Sequence, residues 1–209
     1  MKRHLPVLTE VAVREAEVLR HQKAREYEQA TRAKVAAEFG RIACQKGCHN
    51  CCYYPIAVSP LEGITIYRWL HAEGHWKRAF KAKLQETHEK VWGLAASVWL
   101  LGMFPCALLK EDGTCIAYDV RPFACRTTLS VGPAEDCHPH RFGEQSGIIP
   151  RREVGEALVN EEDKLMKSAK IPAMRLPLAT AILLGERLCS EDTPADDVLR
   201  QLLAQLSPR

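Results

Sequence analysis

Four cysteines crowd one short segment as C-x3-C-x2-C-C, at Cys44, Cys48, Cys51 and Cys52, and four more follow at Cys106, Cys115, Cys125 and Cys137. A core that needs only small hydrophobes can use Ala or Val, which fill the space without thiol reactivity. Eight thiols placed this way point instead to a thiolate-rich metal or iron–sulfur site. Tetrahedral zinc takes four N or S ligands, and a four-iron cluster takes one thiolate per iron. Cys44, Cys48 and Cys51 converge if the backbone turns tightly, and Gly47 between them permits such a turn. The fourth sulfur must then come from Cys52 or from the downstream set. Neighbouring side chains normally diverge, so the adjacent Cys51 and Cys52 imply either one spectator or two metal positions. Eight cysteines suffice for two four-thiolate sites, or for one site with thiols in reserve.

In a secreted chain the same cysteines would read as a disulfide framework. Here Met1-Lys2-Arg3-His4 leads into a charged stretch ending near Phe39, without an apolar segment or a small-residue cleavage site, so a reducing cytoplasmic setting is expected. Cys189 makes the total nine, which rules out complete pairing, and 209 residues at 46% hydrophobic can bury a core without cross-links. Metal binding is therefore expected over disulfides. Thiolate-only ligation suits zinc, iron–sulfur and Cu(I) alike. The ligand surplus and the adjacent pair favour an iron–sulfur cluster, most simply 4Fe-4S, over Zn²⁺, since structural zinc needs four ligands. His49 inside the motif and His138 and His140 around Cys137 leave a mixed Cys/His zinc site open. His71 and His75 are weaker candidates because Gly74 separates them, and Cys189 reads as a plain thiol.

The elements that must position these groups read as helical. Residues 8–39 are rich in Ala, Glu, Arg and Lys with Val11, Val18, Leu19 and Val35 at roughly helical spacing, and close at Gly40, which predicts one long first helix. Ser59-Pro60-Leu61-Glu62 is a helix start, with Ser as N-cap and Pro at the first position, for a helix reaching about His71. A further helix is expected from about Trp76 to Phe104, stopped by Pro105 and delivering Cys106 to the site as a buried element. The stretch 105–150 carries turn residues and four cysteines and is expected to be irregular. Glu153 to Ser168, Pro177 to Cys189 and Pro194 to Leu206 read as three amphipathic helices. The expected fold class is mainly α, a single α-helical domain (1–209) framing an irregular, loop-built cysteine metal site. Within it, 1–40 is the long N-terminal helix, 41–145 the metal-binding core and 146–209 the C-terminal helices. Trp69, Trp76, Trp92 and Trp99 are expected in the core.

Several function classes are disfavoured. A net charge of +3, with Arg14, Arg20, Lys23, Arg25, Arg32 and Lys34 interleaved among Glu10, Glu15, Glu17, Glu26 and Glu28, describes a solvated helix face with i,i+4 pairs and not a phosphate-tracking stripe. No nucleic-acid partner is expected. Val91 to Leu109 is uncharged over a length that could span a bilayer, but Gly93, Gly102 and Pro105 interrupt it, so no membrane span is expected. There is no G-x-G-x-x-G, Walker loop, G-x-S-x-G or carboxylate pair to support catalysis. The C-x3-C-x2-C spacing is shared with radical S-adenosylmethionine enzymes, yet no alternation of strands and helices follows Cys52. Partners are then a metal ion or cluster and, by way of the loops a metal would organise, a protein surface.

From Cys106 onward, Cys115-Ile116-Ala117-Tyr118-Asp119-Val120-Arg121-Pro122-Phe123-Ala124-Cys125-Arg126 spells C-x-x-Y-x-x-R-P-x-x-C-R. Together with the upstream C-x3-C-x2-C-C, this closely resembles the YkgJ-like cysteine-cluster family, a zinc- or iron-chelating domain also found in flagellin lysine-N-methylases. The resemblance covers about Cys44 to Cys137. It implies an iron–sulfur cluster or zinc on Cys44, Cys48, Cys51, Cys52, Cys106, Cys115 and Cys125, with Cys137 as an addition. Resemblance to the methylases implies an alternative, an iron–sulfur-dependent enzyme of redox or protein lysine methyl-transfer chemistry. Four thiolates around a 2+ centre leave net negative charge, and Arg121 and Arg126 are placed to offset it by hydrogen bonding to sulfur, in preference to surface ion pairing. Tyr118 is a candidate hydroxyl donor to a thiolate or a loop carbonyl.

Overall fold

The computed structural model describes residues 7–141, 148–150, 152–169 and 171–190. The described chain is mainly α, with two small two-stranded antiparallel sheets. The first helical stretch forms as expected but with a defect: α1 (Val7–Val18) and α2 (Ala24–Phe39) are joined by a π turn over Leu19–Lys23. Gly40 ends it at φ 74°, a left-handed conformation that costs glycine little, and its N–H returns to the Ala36 carbonyl at 2.8 Å.

Helix α3 (Pro60–Ala72) starts at a complete capping box. The Ser59 hydroxyl accepts from the Glu62 N–H at 2.9 Å and the Glu62 carboxylate accepts from the Ser59 N–H at 3.4 Å, satisfying two donors that the first turn would leave orphaned. The expected helix from Trp76 to Phe104 is instead two: α4 (Arg78–Val91) and α5 (Ala96–Gly102). Gly93 at φ 74° turns the chain between them, and Met103 at φ 51° ends the second. Nor is the second of the two a buried element, although α4 buries Leu84 and Val91. Helix α5 has no buried residue, and Val98 and Leu101 are 49% and 85% exposed. Among the described residues no helix is long and apolar enough to cross a membrane.

Beyond Pro105 the chain is held by short pieces: 3-10 turns, helix α6 (Phe123–Thr127) and the strand β2 (Thr128–Ser130), which pairs with β3 (Ile148–Pro150). Helices α7 (Arg152–Ser168) and α8 (Leu178–Ser190) follow, in line with two of the three expected C-terminal helices. The third, Pro194 to Leu206, lies outside the described residues. A second sheet pairs β1 (Ala57–Val58) with β4 (Leu176–Pro177), clamping the start of α3 to the start of α8.

The centre of the core is the α3–α8 pair. Leu61, Ile64, Ile66 and Leu70 from α3 and Ile182, Leu184 and Leu188 from α8 are essentially inaccessible, each worth about 1.5–3 kcal/mol of transfer free energy. The helices meet at Gly63 and Gly185: a Cβ on Gly63 would lie 2.1 Å from the Ala181 carbonyl oxygen, and one on Gly185 would lie 2.7 Å from the Gly63 oxygen. Backbone-to-backbone approach at that range is open only to glycine. Ala12, Val13 and Ala16 of α1 and Leu84 of α4 join the same core. So do Ala107, Leu108, Ala117 and Val120, which root the cysteine-bearing loops on it. Trp69, Trp76 and Trp92 pack partly buried against this core, whereas Trp99 stands on the surface helix α5.

Candidate metal centre

The upstream motif is a loop closed by its own backbone. Gly47 takes φ 93°, the turn its place between Cys44 and Cys48 calls for. The Cys48 N–H reaches the Gln45 carbonyl at 3.1 Å, and Asn50–Tyr53 winds into one 3-10 turn in which the Cys52 N–H donates to the His49 carbonyl at 2.8 Å. Two separate segments hold this loop. On one, the Ala43 N–H donates to the Ser130 carbonyl at 2.8 Å, the Ser130 N–H donates to Cys44 Sγ at 3.2 Å, and Asn50 Nδ2 donates to the Ala134 carbonyl at 2.6 Å. On the other, the Cys106 N–H donates to the Cys52 carbonyl at 2.7 Å. Cys106 and Cys115 are then drawn together by a hairpin bridged at Leu109 and Cys115, whose turn at Gly113 lies against the His49 ring.

All nine cysteines are free thiols, so the chain carries no disulfide framework. The structure brings the eight motif cysteines into one electrostatic neighbourhood with Cys51 near its middle: Cys44, Cys52, Cys106, Cys115, Cys125 and Cys137 each sense Cys51, and Cys137 also senses Cys48. Burial is the main force on most of these thiols. It pushes Cys106 up to about 12, raises Cys125 well above the ordinary thiol value and raises Cys44, Cys115 and Cys137 against the pull of nearby hydrogen-bond donors. The Cys51 and Cys52 side chains hydrogen-bond to each other, and the pair shares its proton unevenly. Cys52 is raised by that bond and by burial, while Cys51 is lowered to about 7 by the same bond, aided by Arg121. Cys189 lies apart on α8, beside Arg68, Glu10 and Glu17, with burial raising it to about 12.

The arginines of the downstream motif act through an acid that sequence reading assigned to a solvated face. Glu28 of α2 accepts from Arg32 Nε at 3.2 Å, from Arg121 Nη2 and from Arg126 Nη1 at 3.1 Å. Arg126 is only 4% exposed, and it also donates to the Arg121 carbonyl at 3.1 Å and the Asp119 carbonyl at 2.5 Å. It thereby fixes the backbone that leads into Cys125. Arg121 stacks over the Tyr118 ring at 4.1 Å and lies in electrostatic range of Cys51, Cys115 and Cys125. Arg32 adds a bond to the Cys44 carbonyl at 3.0 Å. Two further cations sit beside thiols, Lys83 near Cys106 and Lys110 near Cys115. Glu62, the cap of α3, accepts from the Phe123 N–H at 2.9 Å with its other oxygen, tying the start of α6 to the core. Glu28 and Glu62 are the site residues that sequence reading missed. An i,i+4 Glu–Arg pair and a capping box are each complete as local structures, so nothing in the sequence announces their distant partners.

His138 stacks on His140 at 4.9 Å and meets Tyr53 at 5.2 Å, with His49 in electrostatic range. His71 and His75 instead contact the Tyr67 and Trp69 rings. Among the described residues no three Cys, His, Asp or Glu side chains are closed around one ion position. The donor chemistry nonetheless fits a soft metal: many free thiols, few carboxylates among them, and cationic neighbours to balance thiolate charge.

A helical scaffold that roots a loop-built, thiol-lined site defines a cysteine-based metal-chelating protein. Residues 43–152, more than half of the chain, match the CxxCxxCC family, described as a "putative zinc- or iron-chelating domain", and the chain belongs to that family. No curated protein and no solved structure matches the chain.

Proposed function

We propose that the eight motif thiols hold iron in an iron–sulfur centre, and that binding it organises the loops between Ala43 and Cys137 into a defined surface for a protein partner. The observation that supports this reading is the sharing of one neighbourhood by eight unpaired thiols, joined through Cys51 and lined by Arg32, Arg121, Lys83 and Lys110. Eight such thiols, all but the exposed Cys51 buried or half-buried, are hard to justify by packing. When bound, such a centre supplies cross-linking of the loops and one-electron redox chemistry.

The chain's own groups set the conditions. Ligation requires thiolates, and burial holds Cys44, Cys106, Cys115, Cys125 and Cys137 protonated at neutral pH. Binding must therefore release protons, and affinity rises as pH rises toward the thiol range. The raised thiols are neutral in the metal-free fold, so the desolvation cost falls on the binding step. The cations offset part of it. The test is iron and acid-labile sulfide content with a visible spectrum, on full-length protein purified without oxygen. Iron and sulfide in equal amounts with a brown chromophore is the expected result. Colourless protein with stoichiometric zinc and no sulfide would overturn the iron assignment.

A further inference from the structure

We infer that Ser130 is a positioning residue that supplies hydrogen bonds to sulfur: its N–H serves Cys44, and its hydroxyl serves the Cys137 sulfur once metal binding has displaced the Cys137 proton. The inference rests on the metal-binding reading above and goes beyond it, since that reading gives Ser130 no part.

Ser130 ends β2, where the strand passes the cysteine loops. It is 1% exposed, and both of its backbone groups reach the upstream motif: the carbonyl accepts from the Ala43 N–H at 2.8 Å and the N–H donates to Cys44 Sγ at 3.2 Å. The hydroxyl, equally buried, has no hydrogen-bond partner. Buried polar groups are nearly always paired, because a donor taken out of water gives up its bonds there and must regain them in the protein. Alanine would fill almost the same volume without that cost, so packing alone does not account for a serine here.

Cys137, itself buried, lies beside this hydroxyl. The 3-10 turn Ala134–Cys137 is pinned to the upstream motif by Asn50, whose Nδ2 donates to the Ala134 carbonyl at 2.6 Å. There the Ser130 hydroxyl works against the rise that burial imposes on the Cys137 thiol. A neutral thiol is a weak acceptor and leaves the hydroxyl orphaned, whereas a thiolate is a charged acceptor that draws shorter and stronger bonds. Forming the Cys137 thiolate therefore gives the hydroxyl the partner it lacks and gives the buried negative charge a donor. One residue then serves sulfurs from two segments, Cys44 upstream and Cys137 downstream. The hydroxyl costs stability while a thiol faces it and adds stability when a thiolate does, a reversal of sign that a purely structural serine would not show.

The experiment compares wild type, Ser130→Ala and Ser130→Thr as full-length protein, first stripped of metal and then reconstituted without oxygen with ferrous iron and sulfide. Stripped Ser130→Ala should melt at the wild-type temperature or above it. After reconstitution the order reverses: Ser130→Ala should lose iron to a competing chelator about tenfold more readily than wild type. Its midpoint potential, followed by the visible chromophore, should be more negative, because a hydrogen bond to sulfur favours the more negatively charged reduced state. Ser130→Thr keeps the hydroxyl and should hold iron as wild type does. Stripped Ser130→Ala melting below wild type, reconstituted Ser130→Ala matching wild type in iron retention and potential, or folded Ser130→Thr losing iron as Ser130→Ala does, would each overturn the role of Ser130 while leaving metal binding intact. Wild type that takes up no iron would overturn both readings.

Discussion

At the crossing of α3 and α8, Gly63 and Gly185 let two helix backbones touch and apolar side chains seal the contact on either side. Around Cys51 the chain also comes close to itself, but there it is held by backbone hydrogen bonds, by the Glu28 carboxylate bridging three arginines, and by thiols whose charged form burial opposes. The helix pair carries its stabilisation in contacts present without any ligand. The cysteine loops hold groups whose favourable state requires a metal. The difference means that global stability and loop order should respond to different perturbations.

The largest expected effect belongs to the helix crossing. Gly63→Val places side-chain atoms inside the Ala181 carbonyl, and forcing the helices apart is expected to cost about 3 kcal/mol or more. Thermal denaturation followed by circular dichroism should show a large fall in Tm, the same with metal present or removed. A Tm close to wild type would mean that the helix pair does not carry the fold. Next comes the ionic bridge. Glu28→Ala leaves Arg126, buried at 4% exposure, without its carboxylate, at a cost of roughly 3 kcal/mol. Hydrogen exchange should speed up over residues 121–127 and the 43–53 loop while α3 and α8 keep their protection. Uniform loss of protection would merge the two regions into one cooperative unit.

Smaller in stability, and confined to the loops, are the thiol substitutions. Cys48→Ala and Cys125→Ala should each lower bound metal, whereas Cys189→Ala on α8 should leave it unchanged; metal content by elemental analysis decides. Equal metal in all three variants would sink the ligand assignment.

The contrast also accounts for what could be read from the sequence. Helix α3 was legible to within a residue because Ser59, Pro60 and Glu62 specify its start locally. The cysteine motifs were legible because a reactive residue type repeated at short spacing rarely serves packing alone. Helix α5 was not: the uncharged run Val91–Leu109 looks like a buried element, and only Gly93 and Met103 in left-handed conformations turn it out to the surface. The roles of Glu28 and Arg126 were hidden for another reason. Glu28 pairs with residues 93 and 98 positions away, and a contact of that range leaves no periodicity. The close approach at Gly63 and Gly185 was missed likewise, since an isolated helical glycine reads as a local cost until its partner backbone is seen.

The smallest effect separates the regions by pH. His88 of α4 meets Thr180 of α8 through Nδ1 and Oγ1 at 2.8 Å, and burial lowers its pKa below the ordinary 6.5. Above 6.5 the ring is neutral in both folded and unfolded chains, and its contribution is fully present. As pH falls below 6.5 the unfolded chain takes up a proton that the folded one resists, so stability is lost toward the lower folded value. Metal affinity at the thiols runs over a different window, increasing as pH approaches the thiol range. In metal-free protein the Tm difference between wild type and His88→Gln should therefore be level at neutral pH and shift against wild type as pH drops between about 7 and 5. The same profile should appear with metal bound, because the α4–α8 contact is separate from the thiols. A difference that is flat with pH, or that appears only in the metal-loaded protein, would show that the helix scaffold and the cysteine loops titrate as one.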